Sequence, residues 1–351
     1  ARRGSGRREA TPPPVDGLYG LVGAAVELTR RGAQVSVEVA MPSATVALHT
    51  LTAPSGGPFE VWVDGRRTLR LSSRGAPPAV ARHGLPVAEG PHRVEVRATG
   101  PGVVRVLGAS FDHPKVGVVL DALGLNGARL TTLLRSEPAH LASEVAARRP
   151  ALVVFAYGTN ESDDDTPPAE YERNAGEAVA RILAAAPEAS CLVVGPPDRA
   201  LRTEGQWVTP PRLFDVVAAQ RRVAAAAGCA FFDQLAAMGG AGTAAAWALE
   251  DDPRARPDRV HFTPRGYREL GERVGGEVLR AYVAFRAARG FDASRPIRTE
   301  LSFAGPAPTR STSRAVERKE RRPAPAAPRR RSGPPSSAPR GGSRRTPGTR
   351  G

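Results

Sequence analysis

The sequence has few of the residues that identify a membrane protein, a disulfide-rich protein or a zinc protein. It contains only two cysteines, Cys191 and Cys229. No apolar run reaches the 18 or so residues that a membrane-spanning helix needs, so no such helix is predicted. The two cysteines match no metal-binding spacing, and each stands in an apolar run. We therefore expect both to be small buried core residues, which leaves the compartment of the protein open.

The formal net charge of +15 is concentrated at the two ends of the chain. Thirteen basic and two acidic residues lie between Pro306 and Gly351, and four basic and one acidic lie in Ala1–Ala10. The body of the chain is close to neutral, so the overall charge does not indicate a nucleic-acid-binding protein. The basic tail could contact an anionic polymer through salt-sensitive attraction, but a role as a linker or in solubility is the simpler expectation.

Four segments of different composition follow one another along the chain. Residues 1–14 are rich in Arg, Gly and Pro, which predicts a disordered linker. Residues 15–112 show short runs of period two separated by Gly and Pro, which predicts a β-sandwich. Residues 113–290 alternate strands with helices, which predicts a parallel α/β sheet covered on both faces. Residues 291–351 are rich in Pro, Arg and Ser and are predicted to be a disordered tail.

The predicted α/β segment begins with a strand and ends with a long helix. The predicted strands are Val116–Leu120, Ala151–Ala156, Cys191–Val194 and Ala230–Asp233, and the predicted helices are Leu130–Arg148, Ala169–Ala186, Pro211–Ala227 and Pro264–Arg286. Thr263 is expected to cap the last helix, with Pro264 at its first position. Ligands of open α/β sheets collect at the carboxyl ends of the strands, so a site is expected in the loops that follow them.

Those loops carry residues suited to acyl-transfer chemistry. Gly127 stands in Gly-Leu-Asn-Gly-Ala, Asn160 in Gly-Thr-Asn-Glu, and Asp258-x-x-His261 directly before the last helix. An Asp three residues before a His can hold the imidazole Nδ1, which is the orienting half of a Ser-His-Asp arrangement. Asn160 and the backbone N–H of Gly127 could donate to a developing oxyanion. A lone Asp-x-x-His is more often an ordinary loop, but this order of loops favours a catalytic site.

These motifs resemble the second, third and fifth sequence blocks of the SGNH (GDSL-type) hydrolases, an α/β family with a flavodoxin-like three-layer fold. The segment 15–112 also resembles the carbohydrate-binding-module-like domain found in peptidoglycan and polysaccharide O-acetylesterases of that superfamily. The resemblance implies that His261 is the general base and Asp258 its orienting partner. It also implies that Gly127 and Asn160 form the oxyanion hole, while Glu161 replaces an Asp common in the family.

The first block of the family, Gly-Asp-Ser, carries the nucleophile and occurs nowhere in this sequence. Ser5 has no strand before it, and Ser110 is expected to end the last strand of the sandwich, so neither suits the role. The central first strand is missing with that block, which would leave buried backbone groups unpaired at about 1 to 3 kcal/mol each. We therefore expect a fragment of a working enzyme rather than a pseudoenzyme, and expect the 351-residue chain to be unstable and hydrolytically inactive.

The resemblance implies a serine esterase that hydrolyses O-acyl esters, above all O-acetyl esters, of a cell-wall or other polysaccharide. An acyl-enzyme mechanism of this kind needs no cofactor or metal. The implied partner is an acylated polysaccharide or a small ester, and the implied location is the cell envelope or the extracellular space. Asp163 to Asp165 are expected to form a solvated loop at a helix start rather than a metal site.

The alternative hypothesis is a non-catalytic carbohydrate-binding protein that acts through the β-region. Phe59, Val61 and Val63 alternate with Trp62 in one predicted strand, and Asp64-Gly65 then supplies a hairpin turn. If the first three residues face the core, Trp62 is exposed and could stack on a sugar ring. Packing of Trp62 under a neighbouring loop is the commoner role of such a residue.

Overall fold

The computed structural model describes residues 16–113, 115 and 117–290. The linker expected at residues 1–14 and the tail expected at 291–351 lie outside the described residues. The strands are β1 (Val26–Leu28), β2 (Gln34–Thr52), β3 (Pro58–Val63), β4 (Arg66–Ser72), β5 (Ala79–Ala98), β6 (Val104–Asp112), β7 (Leu152–Ala156), β8 (Ser190–Val194), β9 (Leu201–Thr203), β10 (Gln206–Val208) and β11 (Ala230–Phe232). The helices are α1 (Pro138–Arg148), α2 (Pro168–Ala185), α3 (Pro211–Ala226), α4 (Gln234–Met238), α5 (Thr243–Trp247) and α6 (Pro264–Ala288), with 3₁₀ turns at Leu130–Arg135 and Glu161–Asp163.

The first six strands form one antiparallel sheet in the order β1-β6-β2-β5-β3-β4. The long strands β2 and β5 pair along their length, with register shifts between Val39 and Thr45. Phe59 of β3 meets His83, at the opposite end of β5, with ring centroids 5.9 Å apart. The two halves of the sheet therefore face each other across a common core. The sequence predicts a β-sandwich for residues 15–112; the structure shows an antiparallel β-region there, whose strands form one continuous six-stranded sheet rather than two separate sheets.

The hairpin predicted between β3 and β4 is present. Asp64 and Gly65 have φ angles of 50° and 78°. A two-residue turn of type I′ needs positive φ at both positions, and its twist matches that of the flanking strands. β3 and β4 pair antiparallel across this turn, so that Val63 lies opposite Arg66.

The second sheet is parallel and has three strands in the order β11-β8-β7. Its main core is built around α2, whose buried residues recur at helical spacing from Tyr171 to Ile182. Phe155 of β7 and Val193 of β8 belong to the same cluster, together with residues of α1 and α3. The predicted combination of a parallel α/β domain with an N-terminal β-region is thus confirmed.

The strand predicted at Val116–Leu120 is wrong for the residues described. Residues 117–120 form no strand, and Val118 is 98% exposed. In the strand order of flavodoxin-like sheets this segment pairs only with the first strand of the sheet. No strand among the described residues pairs with the free edge of β7, so the segment has no backbone partner to order it.

The helix predicted at Leu130–Arg148 is interrupted. A 3₁₀ turn covers Leu130–Arg135, and α1 begins separately at Pro138. Proline has no N–H to continue a helix but suits the first position of a new one. The Glu137 carboxylate caps α1 by accepting hydrogen bonds from the N–H groups of Ala139 and His140, at 3.0 and 2.6 Å.

The two cysteines form a disulfide, so the interpretation of them as separate core residues is wrong. Cys191 lies in β8 and Cys229 directly precedes β11. These strands pair in parallel with Ala230 opposite Leu192, which places the preceding residues side by side, with 4.8 Å between their Cα atoms. Both cysteines still pack against the main core of the α/β region.

The last helix begins as its sequence predicts. Thr263 is the N-cap of α6, its hydroxyl accepts from the Gly266 N–H, and Pro264 follows at the first position. This helix has 25 residues and carries charged side chains along its length. Within the part of the chain that the structure describes, no helix has the length and apolar character of a membrane span.

Candidate active site

The loop before α6 holds His261 in a defined orientation. The Asp258 carboxylate accepts hydrogen bonds from the N–H groups of Val260 and His261, at 3.0 and 2.9 Å. Its second oxygen lies 2.9 Å from the His261 Nδ1. A carboxylate can only accept, so Nδ1 carries the proton and Nε2 has the free lone pair. The His261 side chain is 64% exposed, which leaves Nε2 available to a reacting group.

Asp258 stays ionised at every pH at which such chemistry would run. Partial burial alone would raise the pKa of this carboxyl. The two backbone N–H groups and the His261 ring outweigh that effect and lower the pKa to about 2. Asp258 can therefore orient the imidazole and stabilise its protonated form, which is what a general base needs from its partner.

The chain after His261 is anchored in a small aromatic core. Phe262 is buried, and its ring contacts Trp247 and Tyr267 edge to face, with centroids 5.8 and 5.5 Å apart. Thr263 then caps α6. The exposed imidazole is thus fixed between a buried aromatic ring on one side and the Asp258 turn on the other.

Gly127 and Asn160, expected from different loops, lie next to each other. Asn160 donates its side-chain N–H to the backbone carbonyl of Ala128, at 2.8 Å. The second N–H of the same amide remains for another acceptor. Gly127 has a φ of 78°, and a Cβ at this position would meet no atom within 4 Å. The Asn160 side chain therefore contacts the residue that directly follows Gly127, and the shared oxyanion hole stays a prediction.

Glu161, which the sequence analysis treated only as a family variation, bridges these two loops. Its carboxylate is buried and accepts from the Leu130 N–H at 2.7 Å and from the Gly158 N–H at 2.9 Å. Burial raises the pKa of Glu161, against the lowering effect of these backbone hydrogen bonds. The sequence carried no clear signal for this role, because the burial of Glu161 and its contact with the distant Leu130 appear only in the fold.

Arg199 joins the Asn160 loop to the next one. Its side chain is 5% exposed, and one guanidinium nitrogen lies 3.0 Å from the Thr159 carbonyl and 2.6 Å from an Asp163 carboxylate oxygen. The neighbouring residue, Ala200, donates its N–H to the Arg259 carbonyl at 3.0 Å. Arg259 lies between Asp258 and His261. A chain of contacts therefore connects the Asn160 loop with the His261 loop.

Asp198, in the same loop, is buried and holds neighbouring segments together. Its carboxylate accepts from the Thr209 hydroxyl and from the Ala244 N–H, both at 2.7 Å. Burial raises its pKa. These bonds tie both ends of the β9–β10 hairpin to the first turn of α5.

The acidic run after Glu161 is used in ion pairs. Asp163 pairs with Arg199, and Asp164 pairs with Arg129. Among residues 16–113, 115 and 117–290, no three His, Cys, Asp or Glu side chains are grouped in a way that could hold a metal ion. Ser110, set aside as a nucleophile, lies within β6 opposite Ala47.

Trp62 is less accessible than an open sugar platform would be. The Arg97 guanidinium lies over its ring, 4.2 Å from the centroid. Its indole N–H donates to Glu60 at 3.2 Å, and Glu60 also accepts from Arg67 and Arg70. One face of the ring and the indole N–H are thus already occupied. The sugar contact proposed for Trp62 stays a prediction.

Comparisons with known proteins identify the family of the chain. The model of the GDSL-like lipase/acylhydrolase family matches residues 87–269, more than half of the chain. A solved peptidoglycan O-acetylesterase is 24% identical with a TM-score of 0.58, covering 76% of this chain and 73% of that one. A lipase/acylhydrolase from Enterococcus faecalis is 24% identical with a TM-score of 0.31, covering 43% and 71%. Curated protein sequences give no significant match.

Proposed function

Since the chain belongs to the GDSL-like lipase/acylhydrolase family, we propose that it forms the general-base and oxyanion part of a serine esterase. The observation that carries the proposal is the Asp258–His261 pair. The His261 Nδ1 lies 2.9 Å from an Asp258 carboxylate oxygen, and the His261 ring is exposed. The hydrogen bond from the Asn160 side-chain amide to the carbonyl of Ala128, the residue after Gly127, supports the proposal.

The proposed reaction is acyl transfer through an acyl-enzyme. His261 Nε2 removes the proton from a serine hydroxyl, which attacks the ester carbonyl. The second side-chain N–H of Asn160 and the backbone N–H of Gly127 stabilise the negative charge on the carbonyl oxygen. Protonated His261 gives its proton to the leaving alcohol, and the same residue then activates the water that hydrolyses the acyl-enzyme.

The 351 residues do not contain the sequence motif in which the family carries its nucleophilic serine. No Gly-Asp-Ser occurs in the sequence. We therefore propose that the 351-residue chain alone does not turn over esters, and that the protein encoded by its natural reading frame is the form in which activity should be measured.

The proposed substrate is an O-acetyl ester of a cell-wall or other polysaccharide. The fold is shared with a peptidoglycan O-acetylesterase over 76% of this chain. The Cys191–Cys229 disulfide supports a location in an oxidising compartment, where a cell-envelope or extracellular enzyme would work. No step of the proposed chemistry needs a cofactor.

Acetate release tests the proposal. The substrates are O-acetylated peptidoglycan, acetylated xylan and 4-nitrophenyl acetate, and the enzyme is the product of the natural reading frame. We expect hydrolysis of at least one acetylated polysaccharide and a loss of about 100-fold or more in His261→Ala, because general-base catalysis contributes that much. His113→Ala is the matched control, since His113 pairs with Glu89 at the end of the β-region.

Two outcomes would contradict the proposal. Ester hydrolysis by the 351-residue chain that survives His261→Ala would show a different site. Sugar binding without hydrolysis of any ester by the natural product would favour the alternative, a non-catalytic carbohydrate-binding protein.

A further inference from the structure

A short exposed hairpin that the sequence analysis did not predict stands beside the candidate active site. β9 and β10 pair with Leu201 opposite Val208, and the turn at Glu204 and Gly205 has φ angles of 50° and 83°. All six residues of the two strands are exposed. Strand β9 begins directly after Ala200, whose N–H is bonded to the Arg259 carbonyl.

Trp207 in β10 contacts the His261 loop through a cation–π interaction. The Arg259 guanidinium lies 4.0 Å from the centroid of the Trp207 ring. Arg259 holds a φ of 54° within the Asp258–His261 turn. His261 follows two residues later, so its Cα lies at most about 7 Å from that of Arg259. The indole therefore contacts a side chain of the same turn that carries His261.

The three tryptophans of the chain differ in how much of the ring is free. Trp247 is 4% exposed and packs on Phe262. Trp62 is covered by Arg97 and bonded to Glu60. Trp207 is 36% exposed, more than either of the others, although Arg259 lies over one face of its ring. Leu201 and Val208 pair with each other on the opposite face of the hairpin and are exposed to a similar degree.

The polar residues of the same hairpin complete a surface suited to a sugar. Arg202 lies directly opposite Trp207 in the strand pairing. Glu204 lies in the turn and Gln206 follows it directly, and both are exposed. A pyranose ring presents an apolar C–H face, which packs on an aromatic ring, and a rim of hydroxyls, which needs hydrogen-bonding side chains.

We propose that the hairpin Leu201–Val208 is the sugar-binding wall of the active site, and that Trp207 stacks on a pyranose ring of the polysaccharide. A sugar held there would bring an ester on the same or a neighbouring ring toward His261. This inference rests on the proposed esterase function and deepens it, because it names the element that selects a glycan ester over a simple ester.

Indole N–H signals in a ¹⁵N-labelled sample of the natural reading-frame product test the proposal. The variants Trp207→Phe, Trp62→Phe and Trp247→Phe assign each signal by its disappearance. The probes are N-acetylchitotetraose and xylotetraose, two unacylated pyranose oligomers. We expect at least one probe to shift the Trp207 signal, while the signal of the buried Trp247 stays in place.

A kinetic comparison separates this inference from the esterase function. Trp207→Ala should raise KM for an acetylated oligosaccharide about tenfold, which is the loss of one stacking contact. The inference is overturned, and the esterase function stands, if acetylated oligosaccharide is hydrolysed but the probes leave the Trp207 signal in place and Trp207→Ala leaves KM unchanged. A Trp207 shift without any ester hydrolysis supports sugar binding by the hairpin, but overturns the esterase and with it the place of the hairpin in an active site.

Discussion

The edge strands β4 and β7, one from each sheet, differ in composition. The β-region ends at β4, an edge strand whose outer residues include Arg66, Arg67 and Arg70. Charged residues are the usual protection of an exposed sheet edge. The parallel sheet ends at β7, where Leu152 and Val154 are 40% and 47% exposed. β7 thus has the composition of an interior strand, whereas β4 has that of a natural edge.

The two regions also use buried charge differently. In the β-region, Glu60 meets Arg67 and Arg70, whose side chains are largely exposed. In the α/β region, the buried groups Glu161, Asp198 and Arg199 bond to backbone groups of the loops around the candidate site. The difference indicates that the site loops are held by side-chain hydrogen bonds from loop to loop, not by the three-stranded sheet alone.

The largest expected difference between the two regions lies in amide exchange. Amides of β7 that point to the free edge should exchange about a thousandfold faster than those of β2, which pairs on both sides. Hydrogen–deuterium exchange of the 351-residue chain, followed by mass spectrometry, measures this. Equal protection of β7 and β2 would remove the contrast between the two edges.

Removal of the disulfide should weaken the α/β region alone. Cys191 and Cys229 are 38 residues apart, and the β-region contains no cysteine. The chain-entropy model of a loop of that length gives a loss of about 4 kcal/mol. Urea unfolding of the variant Cys191→Ala/Cys229→Ala measures the loss. The amide exchange of β2 serves as the internal control. If the β2 amides also lose protection in the variant, the two regions unfold together.

Gly158→Ala tests the close packing under the Asn160 loop. Gly158 has a φ of 121°, and a Cβ there would lie 2.8 Å from Cδ of Pro196. Backbone strain and overpacking together should cost about 3 kcal/mol of unfolding free energy. The control is Gly176→Ala in α2, where a Cβ meets nothing within 4 Å. That variant should instead gain about 0.5 to 1 kcal/mol. Similar effects of the two substitutions would contradict the packing described.

The smallest expected effect is the pH dependence contributed by Asp258. Its folded-state pKa of about 2 lies below the ordinary 3.8, so the ionised form stabilises the fold above about pH 4. That contribution is lost as the pH falls toward 2. The side chain is half exposed, so solvent screening keeps the effect below about 1 kcal/mol. The unfolding free energies of the wild type and of Asp258→Asn should therefore differ at pH 6 and converge near pH 2. A difference that stays constant over this range would contradict the stabilising role of the Asp258 charge.

Local sequence signals predicted much of the fold and one half of the candidate site. Alternation predicted β3, Asp64-Gly65 predicted its hairpin, and Thr263-Pro264 predicted the start of α6. The Asp258–His261 pair is only three residues apart, so its geometry is nearly contained in the turn. Each of these features depends on neighbours in the chain.

The features that were missed depend on partners far along the chain. The segment at Val116–Leu120 is apolar enough for a strand but has no described strand to pair with. The Cys191–Cys229 disulfide follows from the register of two strands, which composition does not show. Glu161 and Arg199 act through hydrogen bonds to other loops, and the hairpin that presents Trp207 has strands too short to produce a period.

The central claim is that Asn160 and His261, from separate loops, serve one catalytic centre. The measurement that tests it most directly is kcat/KM for an acetylated substrate in the natural reading-frame product, in Asn160→Ala, in His261→Ala and in the double variant. We predict that each single variant loses about 100-fold or more, and that the double variant loses far less than the product of the two, because residues that act as a unit are not additive. Wild-type activity in either single variant, or losses that simply multiply, would contradict the claim.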